Sequence, residues 1–360
     1  MKLKICAVGD IMLGEQHLCN NFGVKDIIQK NGTDFLFKEV SSLFMGADLV
    51  FGNLECSIVD VSSNKSVFFS AEPTAISGLM NAHFNVLSVA NNHIMEHGRK
   101  SFLHTIQVLK DTGITPIGIR GKSDILNVKG CKVAFLAYSF IEDHIVDVCY
   151  NKISSEDVII KDIQKVRPIS DLIIVSLHWG CEYVPYPSPG QIRIGRNLID
   201  AGADIILGGH PHVTQSYEVY RNRPIFYSLG NFIFDDTYIP ATRDSFIAEI
   251  TICSSLESME VNVIPVIINE SSYQPQPVNP LQMGTIQYIE ETRGMFEKRS
   301  LLDYKMAIGN YHLLCNTYKK AAKWNMKVQF ARKFYRYSLS TTFNIVKQYF
   351  KRANWMKEGN

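Results

Sequence analysis

Five stretches of the chain share one pattern: an apolar, often β-branched run that stops at a polar, chemistry-bearing side chain. Leu3 to Val8 stops at Gly9-Asp10, and Asp48 to Phe51 at Gly52-Asn53-Leu54-Glu55. Asn85 to Ala90 stops at Asn91-Asn92-His93, and Asp171 to Leu177 at His178-Trp179-Gly180. Asp204 to Leu207 stops at Gly208-Gly209-His210-Pro211-His212. Short continuous apolar runs of this kind predict strands covered on both faces. Helical spacing lies between them. It runs from Asp34 to Phe44, from Pro73 to Asn81, and from Arg99 to Asp111, where Phe102, Ile106 and Leu109 form the face. It returns at Val158 to Val166 and Ile192 to Ile199. Ile114 to Gly118 and Lys132 to Tyr138 read as further strands. After residue 212 the pattern becomes mainly alternating: Val213 to Val219, Pro224 to Leu229, Phe246 to Ile252 and Val261 to Val266. Ser62 to Lys65 reads as a turn, 140 to 156 as a polar excursion lidding the rim, and Tyr183 to Pro189 as rigid loop.

In open α/β sheets the ligand site lies outside the carboxyl ends of the strands. The five stretches therefore deliver Asp10, Glu55, Asn92, His178, His210 and His212 toward one rim. Carboxylate and amide oxygens beside three imidazoles suit Mn, Fe or Zn better than Ca. One carboxylate can bridge two ions about 3.5–4 Å apart. Each residue also has a plain structural reading. Asp10 would be a turn residue, Glu55 a surface acid, Asn92 a cap, His93 a satisfied loop histidine and His178 a packed core ring. Asn231, after Ser228-Leu229-Gly230, would be a turn former or a support behind the site. His17, His83, His97, His104, His144 and His312 lack the strand-end setting. Gly118 to Gly121 lacks the lysine and the following helix of a phosphate loop, and no Ser-His-Asp order is evident.

The order of these motifs resembles that of the calcineurin-like metallophosphoesterases. The wording is similar to one branch, the bacterial capsule-synthesis CapA family associated with poly-γ-glutamate. The stretches that carry the resemblance are Val8 to Leu13, Asn53-Leu54-Glu55, Ala90 to His93, Leu177 to Gly180, Gly209 to Val213 and Tyr227 to Phe232. They span about residues 3 to 250. The resemblance implies a four-layer αββα sandwich of two mixed sheets and a metal-dependent hydrolase acting on phosphoester or related bonds. It implies metal ligation by Asp10, Glu55, Asn92, His178, His210 and His212, and a general-acid role for His93. It also leaves room for amide-bond hydrolysis or transfer on an anionic capsule polymer, or for a non-catalytic assembly factor. Two positions depart from the wider pattern. Met12 stands where the superfamily has histidine, and Glu96 stands where the branch usually has aspartate. A soft, neutral Met12 does not replace an imidazole on a hard ion. The expectation is one or two ions per chain, with the first site (Asp10, Glu55, His212) weaker than the second (Glu55, Asn92, His178, His210).

The net charge of +2 conceals a split. Residues 298 to 358 hold 14 of the 37 basic and two of the 35 acidic side chains, leaving 23 basic against 33 acidic elsewhere. Three prolines within Gln274 to Pro280 suggest a linker, dividing a 1–272 body from a basic 273–360 extension. Tyr304 to Lys323 and Lys327 to Phe350 read as helices, the second striped with Phe330, Phe334, Tyr337, Ile345 and Tyr349. Two expectations follow for this extension: contact with an anionic membrane surface, or docking on the acidic body. An anionic polymer or phosphorylated substrate is the expected partner, and no nucleic acid is expected. Eight dispersed cysteines without a Cys-x-x-Cys pair, and a core strand starting at Leu3, lead us to expect free thiols and a cytoplasmic chain, peripheral at the inner membrane face.

Overall fold

The computed structural model describes residues 2–60, 68–253, 259–279, 301–337 and 342. The expected turn at 62–65 lies outside them, as do Ile345 and Tyr349.

The strands are β1 (Leu3–Ile11), β2 (Leu49–Leu54), β3 (Ser57–Ile58), β4 (Ser70–Ala71), β5 (Val86–Ser88), β6 (Thr115–Ile117), β7 (Asp124–Val128) and β8 (Cys131–Ser139). They continue with β9 (Leu172–His178), β10 (Ile205–Gly209), β11 (Thr214–Tyr220), β12 (Arg223–Leu229), β13 (Asn231–Ile233), β14 (Asp244–Ile252), β15 (Met259–Ile268) and β16 (Pro275–Pro277). The helices are α1 (Val24–Asn31), α2 (Ser41–Phe44), α3 (Ile76–Asn81), α4 (Gly98–Asp111), α5 (Asp157–Val166), α6 (Pro189–Asp200), α7 (Leu301–Ile308) and α8 (Tyr311–Lys333).

Two mixed sheets face one another. One runs β16-β15-β14-β1-β2-β5-β6, with β13 also on β1; the other runs β11-β12-β10-β9-β8-β7. Alternation along the second sheet assigns its faces. Val133, Phe135, Leu172, Ile174, Ile205, Leu207 and Phe226 join the core shared with the first sheet. Ala134, Leu136, Ile173, Val175, Ile206 and Ile225 point the other way, onto Ile159 and Ile163 of α5 and Ile192 and Leu198 of α6. Helices α1 to α4 cover the first sheet's other face through Val24, Phe44, Ile76 and Phe102. The architecture is the four-layer αββα sandwich.

Strand β1 changes partner midway. Leu3 to Ala7 pair antiparallel with β14, whereas Asp10 and Ile11 pair in parallel with Asn231 and Ile233 of β13. The shift frees the end of β1 from the antiparallel ladder and seats Asn231 beside Asp10.

Several local expectations need correction. The helix expected over 34–44 is broken into a 3-10 turn (Thr33–Phe37) and the one-turn α2, although Leu36, Phe37, Val40 and Phe44 all reach the core. Strand β7 has no sequence counterpart above, because its side chains are only half-buried and exposed by turns, so it lacks an apolar run. The 140–156 excursion is tied down: Tyr150 is buried and donates to Asp143, and the Cys149 amide meets the Met95 sulfur. The expected linker contributes β16, an edge strand on β15. Gln274 and Val278 make the backbone bonds toward β15. Pro275 and Pro277, of opposite parity, direct their nitrogens to the side of β16 that no strand pairs with among the described residues. The two expected C-terminal helices are divided elsewhere too. Gly309, with φ of +63°, ends α7, and Asn310 caps α8, which continues unbroken through 323–327.

The extension is also packed on the body. Tyr304 is buried in the outer core, and its hydroxyl donates to the Pro187 carbonyl at 2.7 Å. The inward face of α8 begins with Tyr311, which donates to the Tyr186 carbonyl at 3.2 Å. Beyond the helix, Tyr337 donates to the Leu18 carbonyl at 2.9 Å and packs on Phe22 at 5.9 Å. No helix among the described residues is long and apolar enough to cross a membrane.

Candidate metal centre

Parallel strands of both sheets point their carboxyl ends at one place. Asp10 ends β1, Glu55 follows β2, Asn92 and His93 follow β5, His178 ends β9, and His210 and His212 follow β10. Close backbone approach makes the meeting possible. A side chain at Gly209 would come within 2.7 Å of the Asp10 carboxylate, and one at Gly208 within 2.1 Å of the Tyr227 carbonyl. His210 and His212 have φ of +93° and +58°. Such left-handed geometry is costly for non-glycine residues and is held here by surrounding structure. The Asp10 carboxylate supplies part of that hold, accepting the His210 backbone N–H at 3.0 Å.

Glu55 sits at the centre, fully buried, and no donor reaches either of its oxygens. Its Oε1 lies 3.6 Å from His178 Nε2, 3.8 Å from His93 Nε2 and 3.9 Å from His212 Nε2. Two sets of buried ligand atoms converge on it: Glu55 with His178 and His210, and Asp10 with Glu55 and His212. Asn92 joins the first set through its Oδ1, 2.9 Å from His178 Nε2. His93 stands at the partly exposed edge. Its Nδ1 is 2.5 Å from Glu96 Oε1, and its ring stacks on Phe69 at 3.9 Å. Met12 is buried in the apolar core and takes no place among these groups.

Burial sets the electrostatics. It pushes the Glu55 carboxyl well above its ordinary pKa, and the neighbouring Asp10 charge adds to the rise. Burial likewise raises Asp10, partly opposed by His212 and by the Asn53 hydrogen bond. It lowers His178 far below the usual imidazole value and His210 to about 3. The rings are therefore neutral, as ligands require.

Asn53 and Asp236 escape the sequence reading as supports of the site, whereas Asn231 is expected there as a support or a turn former. Asn53 donates to Asp10 Oδ1 at 2.9 Å and accepts from Asn91 at 3.1 Å. Asn231 Oδ1 meets His212 Nδ1 at 3.0 Å, and its amide donates to Asp236 at 2.8 Å. Asp236 is buried, which raises its carboxyl to about 7. The only sequence signal for Asp236 is its place five residues after Asn231.

The sequence profile described as bacterial capsule synthesis protein PGA_cap matches residues 4–236. This chain belongs to that capsule-synthesis family. Among curated relatives, the capsule biosynthesis protein CapA of Bacillus anthracis is 34% identical over 77% of this chain and 70% of its own length. The PGA biosynthesis protein CapA of Bacillus subtilis is 29% identical over 78% of this chain and 75% of its own. Among solved structures, a phosphatase from Mycoplasma pneumoniae aligns over 76% of this chain and 96% of its own, at 13% identity and a TM-score of 0.48. The family match covers all the candidate ligand residues and stops before β14 and the C-terminal helices.

Proposed function

We propose that this capsule-synthesis family member is a metal-dependent hydrolase with two divalent ions: one on Asp10, Glu55 and His212, the other on Glu55, Asn92, His178 and His210. The observation that carries this reading is the Glu55 carboxylate. Its separations from His178 Nε2 and His212 Nε2, 3.6 and 3.9 Å, are too long for hydrogen bonds. They suit two groups that each ligate one cation at about 2.0–2.2 Å. A buried carboxylate without a donor is costly, and a cation removes that cost. The mixed oxygen and imidazole set suits Mn, Fe or Zn.

Bound there, the ions would supply Lewis acidity and an activated water at neutral pH. The chain's own residues divide the remaining work. Glu55 and Asp10 provide the anionic charge that holds the cluster. Asn231 turns His212 so that its Nε2 faces Glu55. His93, the general acid, points its Nε2 into the cluster and is held by Glu96 through Nδ1 and by Phe69 through its face. Its partial exposure lets it deliver a proton to the oxygen or nitrogen of a departing group.

Titration with Mn²⁺ or Zn²⁺ tests the proposal. Activity on a generic phosphodiester should rise with metal and disappear in His178→Ala. Absence of both effects rejects it. The relatives' names support a capsule-biosynthesis setting; the substrate proposed here is an anionic polymer or a phosphorylated compound. Amide-bond cleavage or transfer on such a polymer is the alternative chemistry, and activity confined to phosphodiesters excludes it. The core position of Met12 favours a non-catalytic reading, since the first ion then has three ligands from the chain. Two equivalents of metal in protein purified without chelator would count against that reading.

The extension supports a membrane-surface role beside its docking. On α8, exposed Leu313 (64%) and Trp324 (67%) share the outward face with Lys320 and Lys327. Apolar and basic side chains on one face suit an anionic lipid surface. Full-length protein should sediment with anionic vesicles at low salt and not with neutral ones. Failure to do so removes the membrane contact, and with it the placing of the protein at the inner leaflet.

A further inference from the structure

The loop between β9 and α6 passes beside His212 and is fixed from several directions. The Tyr183 backbone N–H donates at 2.8 Å to the carbonyl of Pro211, the residue between His210 and His212. The buried Gln215 amide donates to the Val184 and Tyr186 carbonyls at 2.8 and 3.1 Å. The C-terminal helices add the Tyr304 bond to Pro187 and the Tyr311 bond to Tyr186. Inside this frame Tyr183 has a φ of +66°. A non-glycine residue keeps that left-handed conformation only where its surroundings over-determine it, and such residues cluster at functional sites.

The frame sets the Tyr183 ring against the metal centre. Its centroid stands 6.1 Å from that of the His212 ring, with the planes inclined by 33°. Asp10, Glu55, Asn231 and Phe234, which also lie against His212, are buried. Tyr183 keeps partial exposure, so solvent meets the His212 side of the cluster at this ring. His93 holds the comparable place next to Asn92: it too is partly exposed, and its Nε2 approaches the same Glu55 oxygen as His212 Nε2 does. The first ion, on Asp10, Glu55 and His212, has three ligands from the chain, and a three-ligand site keeps a position open for a substrate atom. An oxygen held beside His212 has Tyr183 as its partly exposed neighbour.

Resting on the metal-dependent reading, we infer that Tyr183 is a substrate-binding residue, its phenol hydroxyl donating to an anionic oxygen of the substrate on the His212 side of the centre. A phosphoryl group and a carboxylate both carry such an oxygen. A phenol O–H donates without bringing a charge of its own, and a hydrogen bond to an ionised acceptor is stronger than one between neutral groups.

The test uses full-length protein loaded with Mn²⁺, its metal content measured first. Inorganic phosphate is titrated calorimetrically into the wild type, Tyr183→Phe and Tyr183→Ala, and glutarate is titrated in a parallel arm. Tyr183→Phe keeps the ring and removes the hydroxyl. It should weaken anion binding about tenfold, as the loss of one hydrogen bond to a charged group allows, with metal content and melting temperature unchanged. Tyr183→Ala should weaken binding at least as much. The arm with the larger loss identifies the phosphoryl or the carboxylate source. A metal-loaded Tyr183→Phe that binds both anions as the wild type does overturns the inference. So does a Tyr183→Phe that loses anion and metal together, because the hydroxyl then supports the ligands rather than the substrate. A metal-loaded wild type that binds neither anion also overturns it and leaves the metal-dependent reading standing. A wild type that takes up no metal overturns both.

Discussion

Glu55 Oε1 stands 3.6 Å from His178 Nε2, both are buried, and no hydrogen bond joins them. In protein stripped by chelator this arrangement is destabilising, because the carboxyl has no donor and faces the Asp10 carboxyl. Glu55→Gln removes a carboxyl that, without a cation, must either ionise in a buried site or take up a proton on folding. The variant should be more stable than wild type after chelation, by about 1–3 kcal/mol, and should gain nothing when metal is added back. Denaturant midpoints with and without Mn²⁺ check both halves. Equal metal-induced stabilisation of variant and wild type would remove Glu55 from the cluster.

Metal uptake should release protons, and the sign follows from the shifts. Glu55 and Asp10 have raised values, so each retains a proton to higher pH than an exposed carboxyl. A cation must expel it, and affinity should climb with pH until those groups ionise. His178 and His210 have lowered values and are neutral throughout the neutral range. They contribute no proton there. Calorimetry at pH 7 in buffers of different ionisation enthalpy should report net release; zero release contradicts the carboxylate assignment.

The chain His212–Asn231–Asp236 predicts an unequal effect on the two ions. Asn231→Ala leaves His212 Nδ1 without its acceptor, and loss of such support costs about 10–100-fold in metal affinity. The weaker equivalent, on Asp10, Glu55 and His212, should suffer, while the equivalent on Asn92, His178 and His210 keeps its affinity. Stepwise cobalt titration followed by absorbance separates the two. A uniform loss would mean general unfolding of the site.

Tyr304 gives a stability test for the extension. It is fully buried and bonded to Pro187, so Tyr304→Ala should cost about 3–5 kcal/mol. A variant with unchanged stability would show that the extension is held only loosely.

Much of the centre could be read in advance because each ligand follows an apolar run, and a strand's end is where a parallel sheet presents side chains. Asp10, His178 and His210 announce themselves in this way. Asn53 and Asp236 do not. Their importance comes from which strand lies next to which, as when β13 lands on β1 and carries Asn231 beside Asp10. Pro275 and Pro277 fall in an edge strand for a related reason. Proline marks a break only if its missing N–H would have been used, and at an outer edge it would not. Helix α8 runs on through residues 323–327 because Lys323-Trp324-Asn325-Met326-Lys327 holds no glycine or proline to stop it.

The proline-bearing strand β16 also limits what can join the larger sheet. A second chain approaching that border meets the carbonyls of Pro275 and Pro277 but finds no amide hydrogens there. Half of the bonds that would extend the ladder cannot form, so the sheet ends itself at this margin and resists fibre-like stacking during synthesis and storage.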